Sequence, residues 1–318
     1  MKKILFFLCL MAVALAACNR GKKAKAVHYQ DTMKIATLPT LDYLPFLVAQ
    51  QKGIYDSLGL KVYFKIFNSE RDCNAALYKD STLDAFIVGL ADAAIAHAKG
   101  DSISIVMQTD GIFYLIGSKE AAVRKFKDLN LKNVAVSHYT SIEYLADEMM
   151  RNGKMSLDSI SKPEINDLTI RKRMLINGQI DAAFFPEPAA TELAVLGKNT
   201  RLKGSDSLHL HLSGLAVRNK TIREKEKAVK TLIQGYNLAV DFLRNDTAKT
   251  VGRLLNRKYK TPYNILDSVK IPFYEKAQTP SDNEWKGVLR WLHNGNLIPK
   301  KYNAENLVNS SFTQNSKP

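Results

Sequence analysis

Residues 33–67 read MKIATLPTLDYLPFLVAQQKGIYDSLGLKVYFKIF. Two short apolar runs flank a helical pattern. Lys34–Leu38 predicts a strand, Leu44–Gln51 a helix stopped by Gly53, and Val62–Phe67, β-branched and aromatic, a second strand. The theme continues outward. Ser69-x-x-Asp72 predicts a capped helix through Leu77, Ala85–Val88 a strand, and Ala91–Lys99 a helix closed by Gly100. Ser104–Gln108, Phe113–Ile116 and Asn133–Ser137 predict further strands. Thr140-x-x-Glu143 predicts a cap, with Ile142, Leu145, Ala146 and Met149 as the apolar stripe behind it. Another helix ends at Met174 and Leu175. Ile180–Phe185 predicts a strand, Glu187–Leu196 a helix, and Leu212–Arg218 a strand. Thereafter the pattern is helical: a long helix carrying Ala228, Leu232, Tyr236, Ala239 and Leu243, then helices over Tyr263–Lys276 and Asp282–Asn294. Strands alternating with helices of this length imply a parallel, doubly wound α/β architecture. Leu83-Asp84-Ala85-Phe86 is echoed by Ile180-Asp181-Ala182-Ala183-Phe184, which suggests two lobes of like construction.

A chain of 318 residues is long enough for two cores, and 46% hydrophobic with 24% charged residues excludes whole-chain disorder and collagen-like repeats. The net charge of +15 suits an anionic partner, yet aromatics are only 9% and no basic run interleaves with them, so no nucleic-acid groove is indicated. Met1-Lys2-Lys3 precedes an apolar run from Ile4 to Ala17, the pattern of an export signal and too short for a comfortable membrane span. The run ends Leu15-Ala16-Ala17-Cys18, which resembles a bacterial lipobox and makes Cys18 the expected lipidation site. Residues 1–17 are then the signal peptide and 18–32 a polar tether of about 14 free residues, with a reach of roughly 20 Å. With Cys18 lipidated and Cys9 removed, Cys73 has no disulfide partner.

Catalytic templates are missing. No phosphate-binding loop, no G-x-G-x-x-G after the first strand, no nucleophile elbow, no C-x-x-C and no H-E-x-x-H occurs. His209-Leu210-His211 has a metal-like spacing if it is read as a strand, where alternate residues share a face, but no third or fourth ligand accompanies it, and no metal or other cofactor is expected.

Several stretches resemble the solute-binding proteins of ABC importers, in the nitrate/sulfonate/taurine and thiamine-precursor group (SsuA/THI5-like). They are Thr40 to Ala49 with Lys52-Gly53-Ile54-Tyr55 and Leu58-Gly59-Leu60, then Leu83-Asp84-Ala85 through Gly89, Lys127-Asp128-Leu129 to Val136-Ser137, and Ile180 to Pro188. Their order over about 40–220 makes the likeness specific. One departure is Asn130-Leu131-Lys132-Asn133, where the family has Gly-Lys and a looser turn is expected here. The resemblance implies the periplasmic-binding-protein type II fold: two α/β lobes joined by two hinge strands, crossings near 110–117 and 213–218, lobe 1 from 33–110 plus 218–318 and lobe 2 from 111–217. It implies a monomeric, lipid-anchored protein that captures a small molecule and delivers it to an ABC permease, without catalysis. An enzyme on the same fold, or a ligand-sensing or protein-binding surface lipoprotein, stands as the alternative.

Ligands of open α/β sheets bind beyond the C-terminal strand ends, at helix N-termini. Those positions here are Asp42, Tyr43, Asn68, Ser69, Gly89, Ser137, His138, Tyr139, Thr140, Ser141 and Glu187. The positive charge and the helix starts at Ser69 and Thr140 favour a sulfonate- or nitrate-type anion. Glu187, at a strand end, favours a flat nitrogen-bearing ligand such as a thiamine-precursor pyrimidine stacked on Tyr43 or Tyr139, because a carboxylate beside an anion would be left unpaired.

Overall fold

The computed structural model describes residues 30–245, 248–305 and 307–313; the expected leader, Cys18 and the expected tether as far as residue 29 lie outside the described residues, and the first strand already begins at Asp31, inside the expected tether. The first sheet holds β1 (Asp31–Thr37), β2 (Leu60–Ile66), β3 (Ala85–Gly89), β4 (Ile103–Thr109) and β10 (Ser213–Arg218), in the order β2-β1-β3-β10-β4. The second holds β5 (Phe113–Gly117), β6 (Lys132–Ala135), β7 (Ile160–Ser161), β8 (Ala182–Pro186) and β9 (Thr200–Gly204), in the order β7-β6-β8-β5-β9.

Both sheets are mixed, which corrects the expectation of parallel ones. β10 runs antiparallel to β3 and β4, and β5 antiparallel to β8 and β9. The reason is topological. β5 and β10 are the strands that enter a sheet straight from the other one, β5 after Asp110-Gly111-Ile112 and β10 after residues 205–212. No helix intervenes to bring the chain back to the same end, as a parallel crossover requires.

Helices cover the faces. They are α1 (Leu44–Gln51), α2 (Ile54–Ser57), α3 (Glu70–Lys79), α4 (Leu90–Ala98), α5 (Ser141–Asn152), α6 (Leu168–Ile176), α7 (Ala189–Val195), α8 (Asn219–Glu224), α9 (Glu226–Asn245), α10 (Ala248–Tyr259) and α11 (Asp282–Asn294). Strand alternation decides which side each residue serves. Met33, Ile35, Ile87 and Leu215 join one core, to which α9 adds Leu232, Tyr236 and Ala239; Ala36, Phe86, Val88 and Ala216 join another. Burying each such leucine contributes roughly 1.5–3 kcal/mol. The second of these cores runs on into the other sheet through Leu115, Val134 and Phe184, and Tyr144 of α5 meets Trp291 of α11 at 5.7 Å. Among the described residues no helix is long and apolar enough to cross a membrane.

The repeated apolar-Asp-Ala stretch has a structural meaning. Asp84 donates its N–H to the Lys34 carbonyl at 2.9 Å and its carboxylate accepts the Lys34 N–H at 2.8 Å. Asp181 treats Asn133 in the same way, at 3.0 and 2.8 Å. Each aspartate thus clamps the start of its strand to the neighbouring parallel strand.

Two local expectations fail. Tyr263–Lys276 is not a helix: a 3-10 turn spans Tyr263–Ser268 and Val269 is extended, because Pro272 lacks an N–H and disfavours helix in the residue before it. His209-Leu210-His211 is not a strand, since His209 has φ 53 at the end of a 3-10 turn and its neighbour His211 bonds Glu284 instead. At the departure from the family pattern, Leu131 adopts φ 60 and is 85% exposed.

Candidate functional site

Strand ends and helix starts of both sheets converge on one small cleft. After β1 the chain makes a 3-10 turn, Leu41–Tyr43, that carries Asp42 into the cleft wall. Beyond β2, Ser69 caps α3 by accepting the Asp72 N–H at 3.2 Å, so Glu70 is the first residue of that helix. Gly89 ends β3, and Asp92 sits in the first turn of α4. From the second sheet, Thr140 caps α5 by accepting the Ile142 N–H at 3.2 Å, and Ser141 opens the helix. Glu143, three residues after Thr140, bonds the Tyr139 N–H instead of completing the reciprocal cap.

The two sheets are bonded to each other across this cleft. Ser141 Oγ accepts the Ala91 N–H at 3.0 Å, and the Ser141 N–H donates to Asp92 Oδ2 at 3.0 Å. The Leu168 N–H donates to the Asn68 carbonyl at 2.9 Å. Arg171, fully buried, reaches Glu70 Oε2 at 3.1 Å and Ser137 Oγ at 2.7 Å, and Ser137 Oγ also donates to Glu70. Gly89 is required here: a Cβ would fall 2.0 Å from Asp92 Oδ2 and 2.4 Å from Ser141 Oγ. Gly111, in the first crossing, is equally constrained, since a Cβ would lie 1.7 Å from Asp42 Oδ1.

The cleft is acidic. Asp42, Glu70 and Asp92 all line it, and burial raises the pKa of each. Arg171 opposes the shift at Glu70, and hydrogen bonds from Ser213, Thr40 and Thr109 oppose it at Asp42. The lining includes no Lys, Arg or His. Cys73 also lines the cleft, and burial, helped by the carboxylates of Asp92 and Glu70, pushes its thiol up to about 12. Among the described residues no group of His, Cys, Asp and Glu is arranged to hold a metal ion.

Of the residues expected from sequence, Asp42, Gly89, Thr140 and Ser141 line the cleft, while Asn68, Ser69 and Ser137 flank it through the bonds just given. The others lie elsewhere. Tyr43 is packed between Phe64 and Tyr259, with ring centroids at 5.4 and 5.8 Å. Tyr139 is 61% exposed, and His138 meets Glu143 at 3.3 Å. Glu187 is buried among its own neighbours: its carboxylate accepts the Thr191 N–H at 3.1 Å and the Thr191 hydroxyl at 2.9 Å, and pairs with Arg201 at 2.9 Å. Sequence reasoning missed Glu70, Asp92, Asn74, Cys73 and Ser213. Glu70 and Asp92 carry no distinguishing signal, because acidic residues in a first helical turn are ordinary partners of the helix dipole.

A comparison with curated protein sequences gives no match. Solved structures do match. The alkanesulfonate-binding protein SsuA from Xanthomonas axonopodis pv. citri, bound to MOPS, superposes with a TM-score of 0.76 at 16% identity, over 89% of this chain and 99% of the other. The ligand-binding component of an ABC-type import system from Staphylococcus aureus, with zinc bound, gives 0.74 at 16% identity, over 89% and 98%. The periplasmic nitrate-binding protein NrtA from Synechocystis PCC 6803 gives 0.69 at 13% identity, over 85% and 83%. At these identities the likeness establishes the shared fold, that of periplasmic binding proteins with two mixed sheets. The sequence itself goes further: residues 40–249 match the NMT1/THI5-like family model, and the chain belongs to that family.

Proposed function

We propose that this chain is the solute-binding component of an ABC import system, lipid-anchored through Cys18, capturing a small molecule between lobes that divide near residues 110 and 213 and handing it to a permease. The observation that carries this reading is the cleft itself. It is lined from both sheets, is joined across by hydrogen bonds at Ser141–Asp92 and Arg171–Glu70, and is spanned by only two chain crossings. Such a joint lets one lobe rotate against the other, and a ligand touching both favours the closed form by its differential contacts. The printed names of the structural neighbours, import-system and periplasmic binding proteins, support the same role. Against an enzyme stands the state of the cleft thiol: a cysteine pushed up to about 12 carries almost no thiolate at neutral pH, and no His or Lys in the lining can activate it.

Mass spectrometry of small molecules released on denaturing the purified protein tests the capture role; a bound compound at near-equal molar amount is expected. Adding that compound back to stripped protein should shrink the radius of gyration in small-angle scattering. An unchanged radius at saturation would count against hinge closure. Cys18→Ser is expected to move the protein from the membrane to the soluble fraction with its thermal midpoint unaltered, because the cores among the described residues begin at Met33.

A further inference from the structure

We propose that the cleft takes a small organic cation, an ammonium, amidinium or guanidinium group seated between Asp42 and Glu70, and that it rejects sulfonate- and nitrate-type anions. The inference rests on the solute-binding reading and names the ligand class for it.

Two observations carry it. The first is a pair of bare acceptors. Asp42 Oδ1 and Glu70 Oε1 are buried and have no hydrogen-bond partner, and both residues, 3% and 6% exposed, line the cleft, with Asp42 Oδ1 also against Gly111 of the first crossing. A buried carboxylate oxygen left without a donor costs the desolvation of that group, so the site is incomplete until a donor arrives. The requirement is directional: an ionised carboxylate only accepts, so the missing partner has to bring N–H or O–H groups.

The second is that no cation lines the cleft and that the helix-start N–H groups beside it are in use. The donors that a sulfonate would use at helix starts are already spent on the protein. The Ser141 N–H goes to Asp92, the Ala91 N–H to Ser141 Oγ, the Ile142 N–H to Thr140 Oγ1 and the Asp72 N–H to Ser69 Oγ. The Asn74 side-chain amide also donates to Asp92. No lining residue is a cation; Arg171, behind Glu70, is the one guanidinium bonded to the cleft carboxylates and already holds Glu70, Ser137 and the main-chain carbonyls of Ile165 and Phe184. Three carboxylates facing one spoken-for arginine leave the cavity with an excess of negative charge, and an anion placed there would be repelled at low effective dielectric. The chain's overall positive charge does not offset this, because surface charge is screened within about 8 Å at physiological salt.

Burial raises the pKa of all three carboxylates, and a bound cation opposes that shift whereas a bound anion adds to it. Binding a cation therefore releases protons, and binding an anion takes them up. This sign is a readout separate from affinity.

The test has two arms. In the first, the full chain, stripped of bound material, is titrated by calorimetry with alkylammonium, alkylamidinium and alkylguanidinium salts, with nitrate and alkylsulfonates of matched chain length, and with a neutral aminopyrimidine. Buffers of different ionisation enthalpy give the proton count. In the second, the charge of any molecule released from the native protein is read by mass spectrometry. Expected are saturable binding of a cation with proton release, or a cationic released compound. Asp42→Asn should weaken that binding by about 10- to 100-fold, the range of one charge-assisted hydrogen bond, while leaving or raising the thermal midpoint of the empty protein. Glu70→Gln should weaken it as well. Binding of sulfonate, nitrate or the neutral aminopyrimidine in preference to every cation, or an anionic released compound, would overturn the cation assignment and leave the solute-binding role standing. Saturation by no member of the panel, with nothing released on denaturation, would overturn both.

Discussion

Glu187 and Glu70 are the same chemical object in two regions of the molecule, and they behave differently. Each is a buried glutamate at the start of a helical segment after a strand, each has an arginine at about 3 Å, and burial raises the pKa of each. Around Glu187 the side-chain partners, Thr191 and Arg201, come from the second sheet and its helices, both oxygens are engaged, and the C-terminal segment adds the Lys270 main chain at Glu187 and the Ser268 carbonyl at Thr191. Around Glu70 the partners, Arg171 and Ser137, come from across the cleft, and one oxygen is bare. The first carboxylate holds a lobe together. The second is completed only when the lobes meet, and even then only in part. A charged residue at a strand end is thus no signal of a ligand; the signal is an acceptor whose partners are conditional or missing.

The largest effect that tests this contrast comes from Arg171→Met. The change removes a fully buried guanidinium that bonds Glu70, Ser137 and two carbonyls, and strands Glu70 in the closed cleft at a cost of about 3–5 kcal/mol. Opening lets Glu70 rehydrate. The cost should therefore appear chiefly as loss of the closed state: a larger radius of gyration and ligand affinity reduced more than about 100-fold, with a smaller change in the unfolding midpoint. A variant that stays closed and binds normally would erase the distinction drawn here.

Arg201→Met is the matching change in the other region and should do the reverse. Glu187 keeps its side-chain partners Thr191 and Arg201 on the second sheet and its helices, so opening of the cleft does not separate the pair. The loss, roughly 1.5–3 kcal/mol for charged hydrogen bonds, should fall on global stability and lower the thermal midpoint by on the order of 5 °C. Scattering and ligand affinity should match the parent within error.

These partnerships explain what the sequence could and could not disclose. The strand-helix alternation was legible because it is local: Leu44–Gln51 and Asp282–Asn294 form the helices their patterns predict, and Ser69 and Thr140 are caps as read. The clamp made by Asp84 and Asp181 left a visible echo because both copies need the same three residue types in a row. The cleft was only half legible. Asp42, Gly89, Thr140 and Ser141 sit where any open α/β sheet puts its ligand. Glu70 and Arg171 are 101 positions apart, and Arg171 lies in a helix, LTIRKRMLI, whose three basic residues in a row suggest a solvated face. Nothing local says that one of the three is fully buried. Glu187 is the converse: its strand-end position suits a ligand contact and equally a carboxylate that caps its own helix or pairs with a nearby Arg, and Thr191 and Arg201 make it the latter.

The smallest effect concerns a third buried carboxylate, at the joint between the two regions. Asp110, in the first crossing, lies 3.6 Å from His211 Nε2 in the second, and His211 Nδ1 bonds Glu284 of α11 at 2.6 Å. Asp110 also accepts the Glu275 N–H at 2.9 Å and faces the Tyr236 hydroxyl at 3.4 Å. Burial raises Asp110 to about 6. The Glu284 hydrogen bond, with the charges of Glu284, Asp110 and Glu275 behind it, raises His211. Burial opposes ionisation of Glu284, but hydrogen bonds from His211 and Ser281 bring it down to about 2. The signs follow from linkage. The stability contributed by His211 is full below its unfolded value of 6.5 and is lost as pH rises through its folded one. Between 3.8 and about 6 the unfolded chain gives up the Asp110 proton before the folded chain does, so stability falls with rising pH there too. The Glu284 contribution is present above 4.5 and is lost as pH falls towards 2. All three together place the optimum in the weakly acidic range, with a decline towards pH 8. The decline should be small, on the order of 2 °C in thermal midpoint between pH 5.5 and 8, because His211 keeps 37% of its side chain in solvent and its charge is partly screened. His211→Gln should flatten that slope, while Arg201→Met, whose guanidinium bonds Glu187 and Thr191 and not this group of residues, should leave it unchanged. An equal slope in the parent and in His211→Gln would show that the joint does not respond to this pair.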